Sequence, residues 1–255
     1  MALPKKIADQ LSNPAKPQSR PRLAAAIPPL EAGDRLTRSE FERRYKAMPH
    51  INKAELIEGV VYMPSPVRFR KHGEPHQHMV TVLGVYVAYT VGVRAGDNAT
   101  VRLDWDNEPQ PDISLLIDPQ FGGRTSISED DYLEGGPELL VEIASSTASY
   151  DLHDKFKAYR RNGVQEYIVW RVDEGEIDWF RLEAEVYVRM QPDARGIIRS
   201  QIFPGLWLNI RALLDEQLDK VLADLQKGLK SKEHSTFVKR LSKIASVKSP
   251  KPSRL

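Results

Sequence analysis

The chain has 255 residues, no cysteine and a net charge of +2. That length allows one large domain with tails or two small ones. The lack of cysteine excludes disulfides and thiolate metal sites, so any metal must be held by carboxylate, imidazole or carbonyl groups. The first residues lack an apolar run followed by a small-residue cleavage site, and no stretch approaches the length of a membrane span. A soluble, cytoplasmic protein with no membrane partner is the expectation. The small net charge hides a division. Residues 1–35 carry six basic and three acidic side chains, residues 226–255 carry nine and one, and the interior between them carries 22 and 31. A basic tail can gather nucleic acid without reading sequence, or simply keep the chain soluble.

Residues 1–35 contain six prolines and little periodicity, which predicts a disordered, proline-rich arm. At Leu36–Phe41, Thr37 and Glu40 have capping-box spacing, so a helix is expected to begin there and to end before Pro49. Ala54–Glu58 reads as a helical end or turn, and Gly59–Pro64 as a glycine followed by a strand. Pro64–Pro75 is rich in proline and charge and reads as a loop. His76–Thr90 reads as a helix with Val80, Leu83, Val87 and Val91 on one stripe. Strands are then expected at 100–105, 112–117, 139–144, 167–172, 177–182, 186–190 and 197–203. Arg124–Gly136 reads as a polar loop, and turns at Asp173–Gly175 and Glu183–Glu185 make the later strands antiparallel. From Arg211 the pattern is helical, with Leu214, Leu218, Val221 and Leu225 on one face, to about residue 243, with disorder after it. The class is α/β: a mixed sheet flanked by helices. The division is an arm over 1–35, a domain over 36–215 and a basic extension over 216–255.

Three residues stand out within this plan. Asp112 follows a proline at the start of an apolar strand, where a turn-ending aspartate is also common. Glu142 lies inside Leu139–Ala144, sharing a face with Leu140 and Ala144; a buried carboxylate there is costly unless paired or metal-bound, and an edge strand facing water is the alternative. Lys155 follows Asp151 in a segment whose Leu152, Phe156 and Tyr159 form an apolar stripe. It falls on the flank of that stripe, while Lys157 points away. A surface pair between Asp151 and Lys155 is the plainer reading. Two carboxylates and a lysine brought together by a sheet and a helix could hold magnesium at a phosphodiester. No phosphate-binding glycine loop, nucleophile elbow, zinc-finger pattern or convincing histidine metal spacing is found.

Pro111-Asp112, Val141 to Ser146, Asp151, Lys155, Tyr159, Gly163 to Tyr167 and Pro204 to Leu206, with Glu55 to Gly59 and Pro75 to Gln77 upstream, resemble the putative restriction endonuclease family of the PD-(D/E)XK nuclease superfamily. The resemblance covers about residues 36–215. It implies a restriction-endonuclease-like core and Mg²⁺-dependent (or Mn²⁺-dependent) cleavage of DNA. Asp112 matches the motif aspartate and Glu142 the motif acid, both metal ligands. Glu55, or else Glu58, matches an acidic residue from an upstream helix. The motif lysine two places after the acid is absent, since Ala144 stands there. Lys155 occupies the place of a helix-borne lysine that takes over in this family. His76 falls where the family often has a histidine, which assists at the site or is structural.

The expected function is therefore a metal-dependent DNA endonuclease. The alternative is a catalytically inactive nuclease-fold module that binds nucleic acid or protein. Arg68, Arg70, Lys71 and Arg124 are the basic residues available to a DNA cleft in an acidic body. The late strands carry Trp170, Trp179 and Phe180, which predict an aromatic edge hairpin and a homodimer, a symmetry that suits cutting both strands.

Overall fold

Six strands form the central sheet in a computed structural model that describes residues 26–63, 66–145 and 150–248. Most of the proline-rich arm, Pro64, Ser146 and the chain beyond 248 lie outside the described residues. In chain order the elements are α1 (Arg38–Lys46), β1 (Glu55–Ile57), β2 (Val60–Tyr62), α2 (Glu74–Ala88), β3 (Val93–Asp97), β4 (Val101–Arg102), β5 (Ile113–Ile117), β6 (Ser126–Ile127), β7 (Leu133–Glu134), β8 (Leu139–Ala144), α3 (Phe156–Arg161), β9 (Glu166–Arg171), β10 (Glu176–Glu183), β11 (Val186–Arg189), β12 (Ile197–Arg199), β13 (Trp207–Asn209), α4 (Ile210–Leu214), α5 (Leu218–Leu229) and α6 (Lys232–Lys248). The central sheet runs β11-β10-β9-β8-β5-β3. All neighbours are antiparallel except β8 and β9, which are parallel. A parallel pair needs a crossover, and residues 151–161 supply it as one π-type turn (Asp151–Lys155) running into α3.

Strand β8 sits inside the sheet and all six of its residues are buried. Its two-residue period divides it between two cores. Leu139, Val141 and Ile143 face the main cluster with α2, α5 and α6. Leu140 and Ala144 face the smaller one, where Tyr159, Tyr167 and Val169 pack with Leu152 and Phe156. Glu142 is thereby directed to the α3 side, and the edge-strand alternative for it falls.

Several expectations are corrected. Residues 55–58 are a strand and turn, not a helical end: Glu58 and Gly59 both take positive φ (52° and 73°), the pair a two-residue hairpin turn needs. The buried stripe of α2 is Met79, Val82, Leu83 and Tyr86, while Val91 is exposed. The apolar valines misled because the true face includes Met79 and Tyr86. Strand β3 carries little apolar sequence and gave no alternation, yet it pairs along its whole length with β5. The 100–105 strand shrinks to β4, and the 124–136 loop contains β6 and β7. Thr37 makes no side-chain cap, because Glu40 is drawn to Arg43 and Arg44. The C-terminal helix breaks at Glu216, whose φ is 57°.

Trp170 and Trp179 are core residues, 5% and 0% exposed, and Phe180 packs edge-on against Phe156. The aromatic hairpin presents no exposed aromatic face, so that ground for a homodimer is gone. The helices of 216–248 add Val221, Leu225, Leu229, Phe237 and Leu241 to the main core. Among the described residues no helix is long and apolar enough to cross a membrane.

Because α6 buries Phe237 against the core, Phe237→Ala is expected to lower stability by about 3–5 kcal/mol in urea unfolding. Val247→Ala, on the exposed side, should stay within about 0.5 kcal/mol.

Candidate active site

Asp112 is carried to the sheet by β5 and Glu142 by β8. Ile113 pairs with Val141 in the antiparallel ladder, so Asp112 and Glu142 stand opposite one another one place further along. Asp112 closes that ladder with its side chain, its Oδ2 accepting from the Ile143 N–H at 2.7 Å. Its Oδ1 meets His72 Nε2 at 3.2 Å and lies 3.9 Å from Lys53 Nζ. Burial opposes ionisation of Asp112, but the His72 hydrogen bond and charge, Lys53 and the Ile143 N–H together hold it below the ordinary carboxylate range.

Lys155 ends the π-type turn, and its ammonium is enclosed at 3% residue exposure. Nζ lies 2.9 Å from Glu142 Oε1, 2.9 Å from Glu55 Oε1 and 3.7 Å from Asp151 Oδ1. The i,i+4 pair with Asp151 exists, but inside the protein rather than on its surface. Lys157 points outward, as the helical wheel requires. One turn beyond Lys155, Tyr159 donates to the same Glu142 oxygen at 2.7 Å. Burial alone would neutralise Lys155, yet Glu142, Glu55 and Asp151 outweigh it and raise its pKa well above the usual value. Glu142 is raised by burial first, and Asp151, Asp112 and Glu55 add to that against the Lys155 charge. Three carboxylates contact the one ammonium, and Asp112 beside them is paired with His72 and Lys53.

Glu55 belongs to strand β1, not to a helix, and it also accepts from the Gln110 N–H at 2.7 Å. Glu58 lies apart, paired with Arg161. His76, near the start of α2, approaches the Asp112 carbonyl (3.3 Å) and Asp97 Oδ1 (3.0 Å) rather than the Asp112 carboxylate. His72 is the histidine that touches the carboxylate. The site opens into a cleft of about 700 Å³ whose walls include Lys53, Arg68, Lys71, His72, Tyr62 and Tyr150. Arg124 is elsewhere, bonded to the Gly163 carbonyl.

Sequence reasoning gave His72 and Lys53 no part at the site and, beyond the family resemblance, placed Tyr159 only on the apolar stripe and Asp151 only in a surface pair with Lys155. The last two were findable: they lie four residues either side of Lys155 and so share its helical face. His72 and Lys53 come from segments without periodicity and left no such signal.

Among the described residues no three His, Cys, Asp or Glu side chains form a ready-made metal cage. Asp112 and Glu142 are nevertheless hard oxygen donors facing one cleft in a carboxylate-rich setting. That fits a magnesium-type ion, which keeps several waters and needs only one or two carboxylates, better than calcium or zinc.

The chain is a mixed α/β fold in which buried carboxylates and a lysine gather against one face of the central sheet. The chain itself belongs to the Uma2 family, described as putative restriction endonuclease, whose model matches residues 38–211. Its structure is similar to the crystal structure of a protein from Anabaena variabilis described as a putative nuclease belonging to DUF820, with 20% identity, a TM-score of 0.49, and coverage of 68% of this chain and 96% of that one. No curated protein matches.

The part Lys155 plays among these carboxylates can be tested without any reaction. In chelator, Glu142→Gln is expected to melt at or above wild type, because the lysine keeps Glu55 and Asp151. Lys155→Ala strands buried carboxylates and should cost about 3–5 kcal/mol by denaturant unfolding.

Proposed function

We propose that the protein is a metal-dependent endonuclease that hydrolyses phosphodiester bonds in DNA. The observation that carries this reading is the alignment of Asp112 and Glu142 on paired strands at one cleft, with the Lys155 ammonium 2.9 Å from Glu142. Asp112 and Glu142 would hold the divalent cation, Mg²⁺ or Mn²⁺, which supplies a polarised phosphoryl oxygen and an activated water when bound.

The chain's own residues do the rest. His72 and the Ile143 N–H fix the Asp112 carboxylate and keep it ionised. Tyr159 and Lys155 hold Glu142 by one oxygen. Glu55 and Asp151 keep Lys155 charged in a buried place. A positive charge fixed there stabilises negative charge as it develops on the phosphoryl group, at no cost in reorganisation. Lys53, Arg68 and Lys71 draw the phosphate backbone to the cleft.

The test is cleavage of plasmid DNA and of single-stranded circular DNA with Mg²⁺ or Mn²⁺ by the wild type beside Asp112→Asn, Glu142→Gln and Lys155→Met. Cleavage that is lost in chelator and falls at least about 100-fold in each variant is expected. A folded wild type that cuts with neither metal would leave the nuclease-fold binding module as the function. Retained cutting by Lys155→Met would remove the lysine from the mechanism and keep the nuclease.

A further inference from the structure

The same cleft also limits what can reach its floor, and the following inference rests on the nuclease reading above. Asp112 and Glu142 are each only 4% exposed. A phosphodiester must therefore descend to them. At about 700 Å³ the cleft has the volume of a small-ligand pocket, room for a short piece of one strand. A duplex, with both strands and their paired bases, needs more room than that and is held at the rim.

The rim is built for unpaired bases. Val67 and Phe69 are 67% and 73% exposed, and they alternate with Arg68, Arg70 and Lys71. Val67, Arg68 and Lys71 line the cleft, so Phe69 stands within its basic border. An exposed phenylalanine gains nothing from folding. Set among cations beside a phosphate-sized opening, it matches the platform-and-charge pattern of single-strand binding. The wall below is aromatic as well, with the Tyr62 and Tyr150 rings 4.1 Å apart.

Charge points the same way. Residues 36–225 carry 31 acidic and 22 basic side chains, so a long duplex meets repulsion beyond the rim. The cations at the cleft, Lys53, Arg68 and Lys71, suffice for a few phosphates, and Lys71 now rests on Asp173 at 2.9 Å, a half-exposed pair that a phosphate can displace. We propose that the cleft takes a single DNA strand, such as an unpaired end, flap or gap, with a base stacked on Phe69.

The experiment is fluorescence anisotropy on the full chain with Ca²⁺ in place of Mg²⁺, comparing a labelled oligo(dT) 20-mer with a blunt duplex of equal length. Single-strand binding at least 10-fold tighter than duplex binding is expected. Phe69→Ala should weaken it about 5- to 150-fold and Phe69→Trp should restore it, with duplex binding unchanged. Because Phe69 is largely exposed, these variants should fold as the wild type does. Duplex binding as tight as single-strand binding, or an unaffected Phe69→Ala, overturns the inference and leaves the nuclease reading standing if plasmid is still cut. Binding of neither substrate together with absence of cleavage overturns both.

Discussion

The buried contact of Lys155 with Glu142 is the interaction on which this structure turns. It joins the crossover turn to the central strand β8, and through Glu55 it also fastens the β1–β2 hairpin to the sheet. Burying an ammonium and several carboxylates costs on the order of several kcal/mol per ion, and such a group is retained cheaply only when charge and hydrogen bonds are matched. One lysine contacts Glu142, Glu55 and Asp151, and Asp112 beside them is held by His72, Lys53 and the Ile143 N–H. A core designed for stability alone would put apolar residues at these positions, as it does at Leu140 and Ala144 on the same face.

Topology explains how so few residues suffice. The antiparallel pairing of β5 with β8 sets Asp112 opposite Glu142 without help from any loop. The parallel pairing of β8 with β9 forces a crossover, and the crossover has to pass over the face that Glu142 occupies. Leu152, Phe156 and Tyr159 anchor it to the smaller core, and that anchoring turns Lys155 and Tyr159 toward the carboxylate. Main-chain pairing places the acids, and apolar packing of a short helix places the ammonium. The π-type start of that segment widens the turn where Asp151 and Lys155 are both buried.

Much of this was legible in the sequence because it follows from periodicity. Glu142 in an apolar run announced a carboxylate in a core, and the Leu152–Phe156–Tyr159 stripe announced a helix lying on the sheet. What failed had no period to read. Glu55 sits in a three-residue strand, and its hairpin depends on positive φ at Glu58, a residue type that rarely adopts it. Strand β3 is an edge strand of mostly exposed residues, held by backbone pairing that side-chain pattern cannot announce. His72 reaches Asp112 from a π-type turn, Phe69–Gly73, in a stretch whose proline and charge read as a loop. The aromatic residues of β9 and β10 were read as exposed because a hairpin with Arg171, Arg181 and Glu183 looks half polar. In the fold, those charges pair with one another along the rim while the rings turn inward.

The position of the lysine is itself a packing question. Ala144, two residues beyond Glu142, is fully buried on the same face, in the cluster that holds Tyr159 and Tyr167. A long cationic side chain there would have to displace those rings, and the volume it would need is occupied by the aromatic contact between them. That contact is what seats α3, and Tyr159 in turn donates to Glu142. With a small residue on the strand, the helix can approach closely enough to deliver both a hydroxyl and an ammonium to one carboxylate oxygen. The absence of a lysine at 144 and the presence of one at 155 are then two consequences of one close packing: the strand gives up the cation so that the helix can come near enough to carry it.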